Sequence, residues 1–263
     1  MTTTATTTTA TTPTAWGLTP RFLLLDVRRQ LRNRQTLIIT TVLPVVLYLA
    51  LHTQAGPDAR FAHGDFAAWM MIGLALYGSA AAATTTAAQV AAERSTGWVR
   101  TLRLTPLRPP GYIASKVVSA LTMSALPVVM LAVLSAATGA HAEPQVWVLS
   151  LLIAWLGSAL FGALGLALGL ALRPEIVMHI PGLLLTVLAF GGNVFFPLSG
   201  GMLTFAQFTP MYGITALARY PLTGGETLTG VHTSLLGAAI NVVVWFAVFA
   251  GAAAIAYRHS AER

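Results

Sequence analysis

Six stretches of this chain run without a single Asp, Glu, Lys or Arg: 35–57, 66–92, 117–142, 144–172, 176–218 and 227–257. Each exceeds the ~20 residues that a helix needs to cross a hydrocarbon core of about 30 Å. Backbone N–H and C=O groups must be satisfied within the segment in lipid, so such runs read as helices, not open strands. Charged residues make up 9% of the chain, against about 25% in a soluble domain. The sequence therefore predicts an all-α membrane protein with six transmembrane helices, at about 36–52, 66–90, 112–138, 146–172, 177–196 and 233–257. No cysteine is present, which removes disulfides, thiol redox chemistry and Cys-ligated metals.

The net charge of +7 could point to nucleic acid. Its placement points instead to membrane topology, because Lys and Arg collect on the inner side. With the N-terminus inside, the inner segments 1–34, 91–116, 173–175 and 258–263 hold 13 of the 15 Lys and Arg. The outer segments hold only Arg60 and Arg219, beside Asp58, Asp65, Glu143 and Glu226. Both termini are thus expected in the cytoplasm, with no signal peptide needed.

Residues 1–17 open with "MTTTATTTTATTPT" and are expected to be a disordered cytoplasmic tail. The remainder, 18–263, reads as one transmembrane domain. Within 18–35, Thr19 suits an N-cap with Pro20 at the first helical position. Leu23, Leu24, Val27 and Leu31 share one face and Arg21, Arg28 and Arg32 another, the pattern of an interfacial amphipathic helix meeting lipid headgroups. Pro44 and Pro127 are expected to kink spans one and three, and Lys116 to snorkel toward the cytoplasm. Ser158, Gly162, Gly165 and Gly169 give span four a small-residue packing face. "GGNVFFP" is expected to break span five, and the apolar, Pro-punctuated 197–232 to form short re-entrant helices in the outer leaflet.

Several chemistries lack their residues. The six histidines (52, 63, 141, 179, 232, 259) fall near span ends or in loops. There is no HExxH pair and no GxSxG elbow, so neither a metal site nor a membrane enzyme is expected. No charge falls mid-span, which disfavours an ion-coupled carrier. A P-loop requires GK[ST], and the one lysine, Lys116, stands between Ser115 and Val117.

The stretch "AAERSTGWVRTLRLTPLRPPGYIASK", residues 91–116, concentrates five of the chain's 15 Lys and Arg between two charge-free runs. Ser95 or Thr96 could cap a short helix ending before Pro106. On it, Trp98 and Leu102 would share one side and Arg100 and Arg103 would point away. Positive-inside topology alone explains the charges. It does not explain an apolar cluster shown to the cytoplasm without a partner.

This stretch resembles the segment after the second span in ABC type-2 permeases, most closely the actinobacterial drug-export and daunorubicin-resistance-type branch. The pattern E-R-x-x-G-W-x-R-x-L-R-x-T-P-L…K is met by Glu93, Arg94, Gly97, Trp98, Arg100, Leu102, Arg103, Thr105, Pro106, Leu107 and Lys116. Ser95 stands where many members have a second acid. The interfacial helix, six spans and the "FFPL" break extend the likeness over nearly the whole chain.

The resemblance implies that 91–111 is a coupling segment seated on a separate ABC ATPase subunit, present in two copies and carrying the ATP and Mg. No cofactor is implied in this chain. Glu93, Arg94, Gly97, Trp98, Arg100, Leu102, Arg103 and Pro106 would then couple ATP hydrolysis to the spans. Trp98 and Leu102 would anchor, and Arg100 and Arg103 would pair with acids. The resemblance further implies a dimer, with an identical or homologous permease, whose central path is lined by spans two and five. Met70, Met71, Tyr77, Thr84, Asn193, Phe195 and Phe196 would lie near a substrate, though each serves equally as a packing residue. The function so implied is export of a hydrophobic or amphipathic compound through a bacterial plasma membrane, with lipids but no nucleic acid as further partners. An ATP-independent carrier or a signalling membrane subunit is the alternative.

Overall fold

The computed structural model describes residues 19–53, 60–96, 109–177, 179–226 and 230–261. Helix α1 (Pro20–Leu31) starts where Thr19 Oγ1 accepts the Phe22 N–H at 3.2 Å, with Pro20 in the first turn. α2 (Arg34–Leu51) follows after a bend of 59° and runs through Pro44. A two-residue hairpin, β1 (Arg60–Phe61) and β2 (Gly64–Asp65), leads into α3 (Phe66–Ala88), which α4 (Val90–Ser95) continues. Then come α5 (Pro109–Ala137), continuous through Pro127, and α6 (Pro144–Ala171). Span five divides into α7 (Pro174–Val177) and α8 (Ile180–Gly191). α9 (Gly200–Ala206) and α10 (Pro210–Thr223) are short, and α11 (Leu235–Ala261) closes the chain. Among the described residues five helical stretches are long and apolar enough to cross a membrane, or six when the bent pair α1–α2 counts as one span.

α3 is the hub. It packs on α2, α5, α6, α8 and α10, and nearly every one of its side chains is buried. Small residues permit this. A Cβ on Gly165 would run into the Thr84 carbonyl, and one on Gly169 would stand 2.7 Å from the Ala88 carbonyl oxygen. Thr84 Oγ1 donates to the carbonyls of Ala80 (2.8 Å) and Phe161 (3.0 Å), and Ser79 Oγ to Ala154 (3.1 Å). α11 packs on α6 and α10, while Leu236 (71% exposed) and Val243 (68%) form part of an apolar outer face suited to lipid.

At the end away from α4 the hairpin is locked to its neighbours. Asp65 caps α3 at Ala68 N (2.8 Å) and accepts the His141 N–H at 2.8 Å. Hydrogen bonds from His63 and then Gln145 hold the Glu143 carboxyl below the usual carboxylate range.

Candidate functional site: an ionic cluster at the foot of span two

The most polar buried assembly joins α1, α4 and α5. α1 supplies Asp26 and Arg29, one turn apart. α4 supplies Glu93. α5 supplies Tyr112, Lys116 and Ser119, whose spacing places them on one helix face. Asp26 (7% exposed), Glu93 (6%) and Lys116 (2%) are all withdrawn from solvent.

Lys116 Nζ donates to Glu93 Oε1 at 2.7 Å and to Asp26 Oδ1 at 3.3 Å. Arg29 reaches Asp26 Oδ1 at 3.0 Å and also pairs with Glu93. Tyr112 OH donates to Glu93 Oε2 at 2.5 Å, and Ser119 Oγ to Asp26 Oδ2 at 2.7 Å. The Lys116 ammonium also lies 5.3 Å from the centre of the Tyr112 ring. Two cations balance two carboxylates, and each carboxylate accepts at least three donors. That is the condition under which charges survive burial. Next door, Arg94 Nη1 donates to the Leu170 carbonyl, one of the orphan acceptors at the C-terminal end of α6.

One expectation is corrected here. Lys116 does not snorkel to solvent, because two acids meet it inside the bundle. Ser95 and Thr96 close α4, both hydroxyls donating to the Ala92 carbonyl, and the short helix expected after them lies outside the described residues. Gly97, Trp98, Arg100, Leu102, Arg103 and Pro106 lie outside the described residues.

α1 turns Asp26 and Gln30 toward the protein and leaves Leu24 (68%) and Leu25 (65%) exposed, with Arg21, Arg28 and Arg32 also outward. Its inner face is thus polar. Sequence reasoning missed Asp26, Arg29, Tyr112 and Ser119. A signal existed: Asp26 is the only acid of residues 18–35, Glu93 the only acid of 91–116, and Lys116 the only lysine. Isolated rare charges beside apolar runs are candidates to find one another.

The proposed path residues separate into two groups. Tyr77, Asn193, Phe195 and Phe196 gather where α8 ends. The Tyr77 and Phe195 rings meet edge-on at 5.2 Å, Tyr77 OH is 3.0 Å from Thr186 Oγ1, and Phe196 is 52% exposed. Asn193 takes a positive φ of 62°, and its side-chain oxygen accepts the Leu198 N–H at 2.8 Å. Met70, Met71 and Thr84 lie within the packing of α3, at most 2% exposed.

Arg219, one of the two basic residues assigned to the outer side, is buried in α10. It donates to the carbonyls of Trp69 (3.3 Å), Asn193 (2.5 Å) and Val194 (2.6 Å) and lies 3.4 Å from the centre of the Trp69 ring. Gly73 leaves the room for its guanidinium.

Residues 21–223, from the first turn of α1 to the last residue of α10, match the family model described as ABC-2 type transporter. The chain belongs to that family. This ABC-2 permease is 26% identical over 211 residues to "Putative transport permease YvfS" of Bacillus subtilis (strain 168), across 77% of its own length and 84% of the relative's. The matched region contains the whole ionic cluster and Arg219 and leaves out α11. It is a multi-pass membrane protein, and permeases of its family work with an ATPase partner.

Proposed function

We propose that this permease is the membrane subunit of an ATP-driven exporter in a bacterial plasma membrane, working as a permease dimer on two copies of a separate ATPase. Both termini face the cytoplasm. The cargo is a hydrophobic or amphipathic compound of drug, antibiotic or lipid-like character, consistent with the charge-free spans and with the drug-export resemblance of residues 93–116.

One observation carries the coupling part of this reading. Glu93 stands four residues before Gly97, where the coupling segment continues, and it is tied to both the interfacial helix and span three. A push delivered to Trp98 and Leu102 by a closing ATPase would reach Glu93, five and nine residues earlier in the chain. Lys116, Arg29 and Tyr112 would then pass it to α5 and α1 together. Charged hydrogen bonds suit this role because they are directional and resist being pulled apart in a medium of low dielectric. The cluster acts as a mechanical tie.

The test pairs capture of the ATPase with a transport assay. Trp98→Ala removes an interface aromatic, a change of about 2 kcal/mol or more, so ATPase capture should weaken roughly thirtyfold. Arg103→Ala, at a solvated rim, should cost about 0–1 kcal/mol. Glu93→Ala should keep the ATPase bound while transport falls. If Trp98→Ala captures ATPase and transports like wild type, the coupling assignment is wrong.

A further inference from the structure

A cleft of about 700 Å³ opens beside the ionic cluster, between α1 and α2 on one side and α3, α4, α7 and α8 on the other. We propose that it binds the head of a monoanionic amphiphile, a phosphodiester or carboxylate, with the apolar tail laid along Ile39, Val177 and Pro181.

The charge balance sets the sign of the ligand. Arg29, Arg32 and Glu93 are the charged residues of the lining among the described residues. Glu93 is already matched by Arg29 and Lys116, and Lys116 in turn by Asp26. Arg32 is exposed and forms no ion pair among the described residues, so the cleft keeps one positive charge. A single negative charge completes it.

The hydrogen-bonding groups make the site specific. Gln30 lines the cleft at 2% exposure, and its Nε2 has no hydrogen-bond partner among the described residues. A buried amide N–H left unpaired is unfavourable, and a ligand oxygen would remove that penalty. Thr36, Thr85 and Gln89 add hydroxyl and amide groups around the same space. The tail end is defined by Ile39, 60% exposed, with Val177 and Pro181. No aromatic ring is among the described lining residues, which argues against a stacked planar ring or sugar. The volume falls within the range of ordinary small-molecule sites, about 300–1,000 Å³.

This inference rests on the permease reading only in placing the cleft at the inner leaflet. Its test is a binding measurement that needs neither ATPase nor cargo, so the two can fail separately. Native mass spectrometry would be run on the full chain in neutral detergent. The probes are phosphatidylglycerol, the diacylglycerol with the same tails, and inorganic phosphate. Phosphatidylglycerol should bind once per chain, on the order of tenfold tighter than diacylglycerol, as one charge-assisted contact implies. Arg32→Gln and Gln30→Leu should each lower its retention by on the order of tenfold. Arg258→Gln removes an exposed basic charge that does not line the cleft and should leave retention within about twofold. Arg32 is exposed, so its variant keeps the test valid if Gln30→Leu misfolds. Equal binding of diacylglycerol would overturn the proposal. So would equal loss in Arg258→Gln, which means attraction to the surface alone. Displacement of the lipid by inorganic phosphate at similar affinity would mean a soluble-anion site and would overturn the assignment to an amphiphile.

Discussion

Lys116 is met inside the bundle by Glu93 at 2.7 Å and Asp26 at 3.3 Å. Removing one member of such a set leaves an uncompensated buried charge, which typically costs about 3–5 kcal/mol. Removing one cation and one anion together restores neutrality. Glu93→Gln and Lys116→Met should therefore each destabilise the protein by about that amount, and the double variant by clearly less than the sum of the two. Thermal unfolding of the four proteins in one detergent closes the cycle. Strict additivity would show that the two groups do not interact. Arg219 is accommodated by another route. Three backbone carbonyls and the face of Trp69 take the place of an acid.

At the scale of elements, the tightest seam is α3 against α6. Lipid tails are as apolar as leucine, so helix association inside a membrane depends on close packing and interhelical hydrogen bonds. Gly165 and Gly169 let α6 approach the α3 backbone at Thr84 and Ala88, and Thr84 Oγ1 bonds across to the Phe161 carbonyl. Gly165→Ala should force the helices apart and lower stability by about 1–3 kcal/mol, seen as a lower melting temperature. Gly162→Ala is the control, because its added Cβ would meet only Ala120 Cβ at 3.8 Å. Equal effects at both positions would refute the packing account.

For the molecule as a whole, the distribution of Lys and Arg carries the proposed orientation. Burial of Arg219 leaves Arg60 as the basic residue of the proposed outer loops that remains exposed, which sharpens the inward bias. Reporter fusions after residues 60, 141 and 225 should read outside, and those after 105 and 175 inside. An outside signal at 105 would place the 91–116 stretch beyond reach of any cytoplasmic ATPase, and the exporter reading would fail with it.

The helical, apolar character of the chain and the break after Gly191 were legible because each depends on local chemistry: apolar length, proline, glycine and the Asn193 turn. The N-terminal cap at Thr19 was legible for the same reason. The motif around Glu93 and Trp98 was readable as pattern, and it led to the family. The partners of the charges were not. Asp26 and Lys116 are 90 residues apart, and only the packing of α1 across α5 and α4 brings them to one point. Hydropathy reads a lone lysine at a span end as a snorkelling residue, and an arginine between proline-rich segments as a loop residue. Which of them is withdrawn from solvent depends on whether the fold delivers acids or carbonyls to meet it. That is decided by tertiary contacts, because the free energy of burying a charge is set by its neighbours in space.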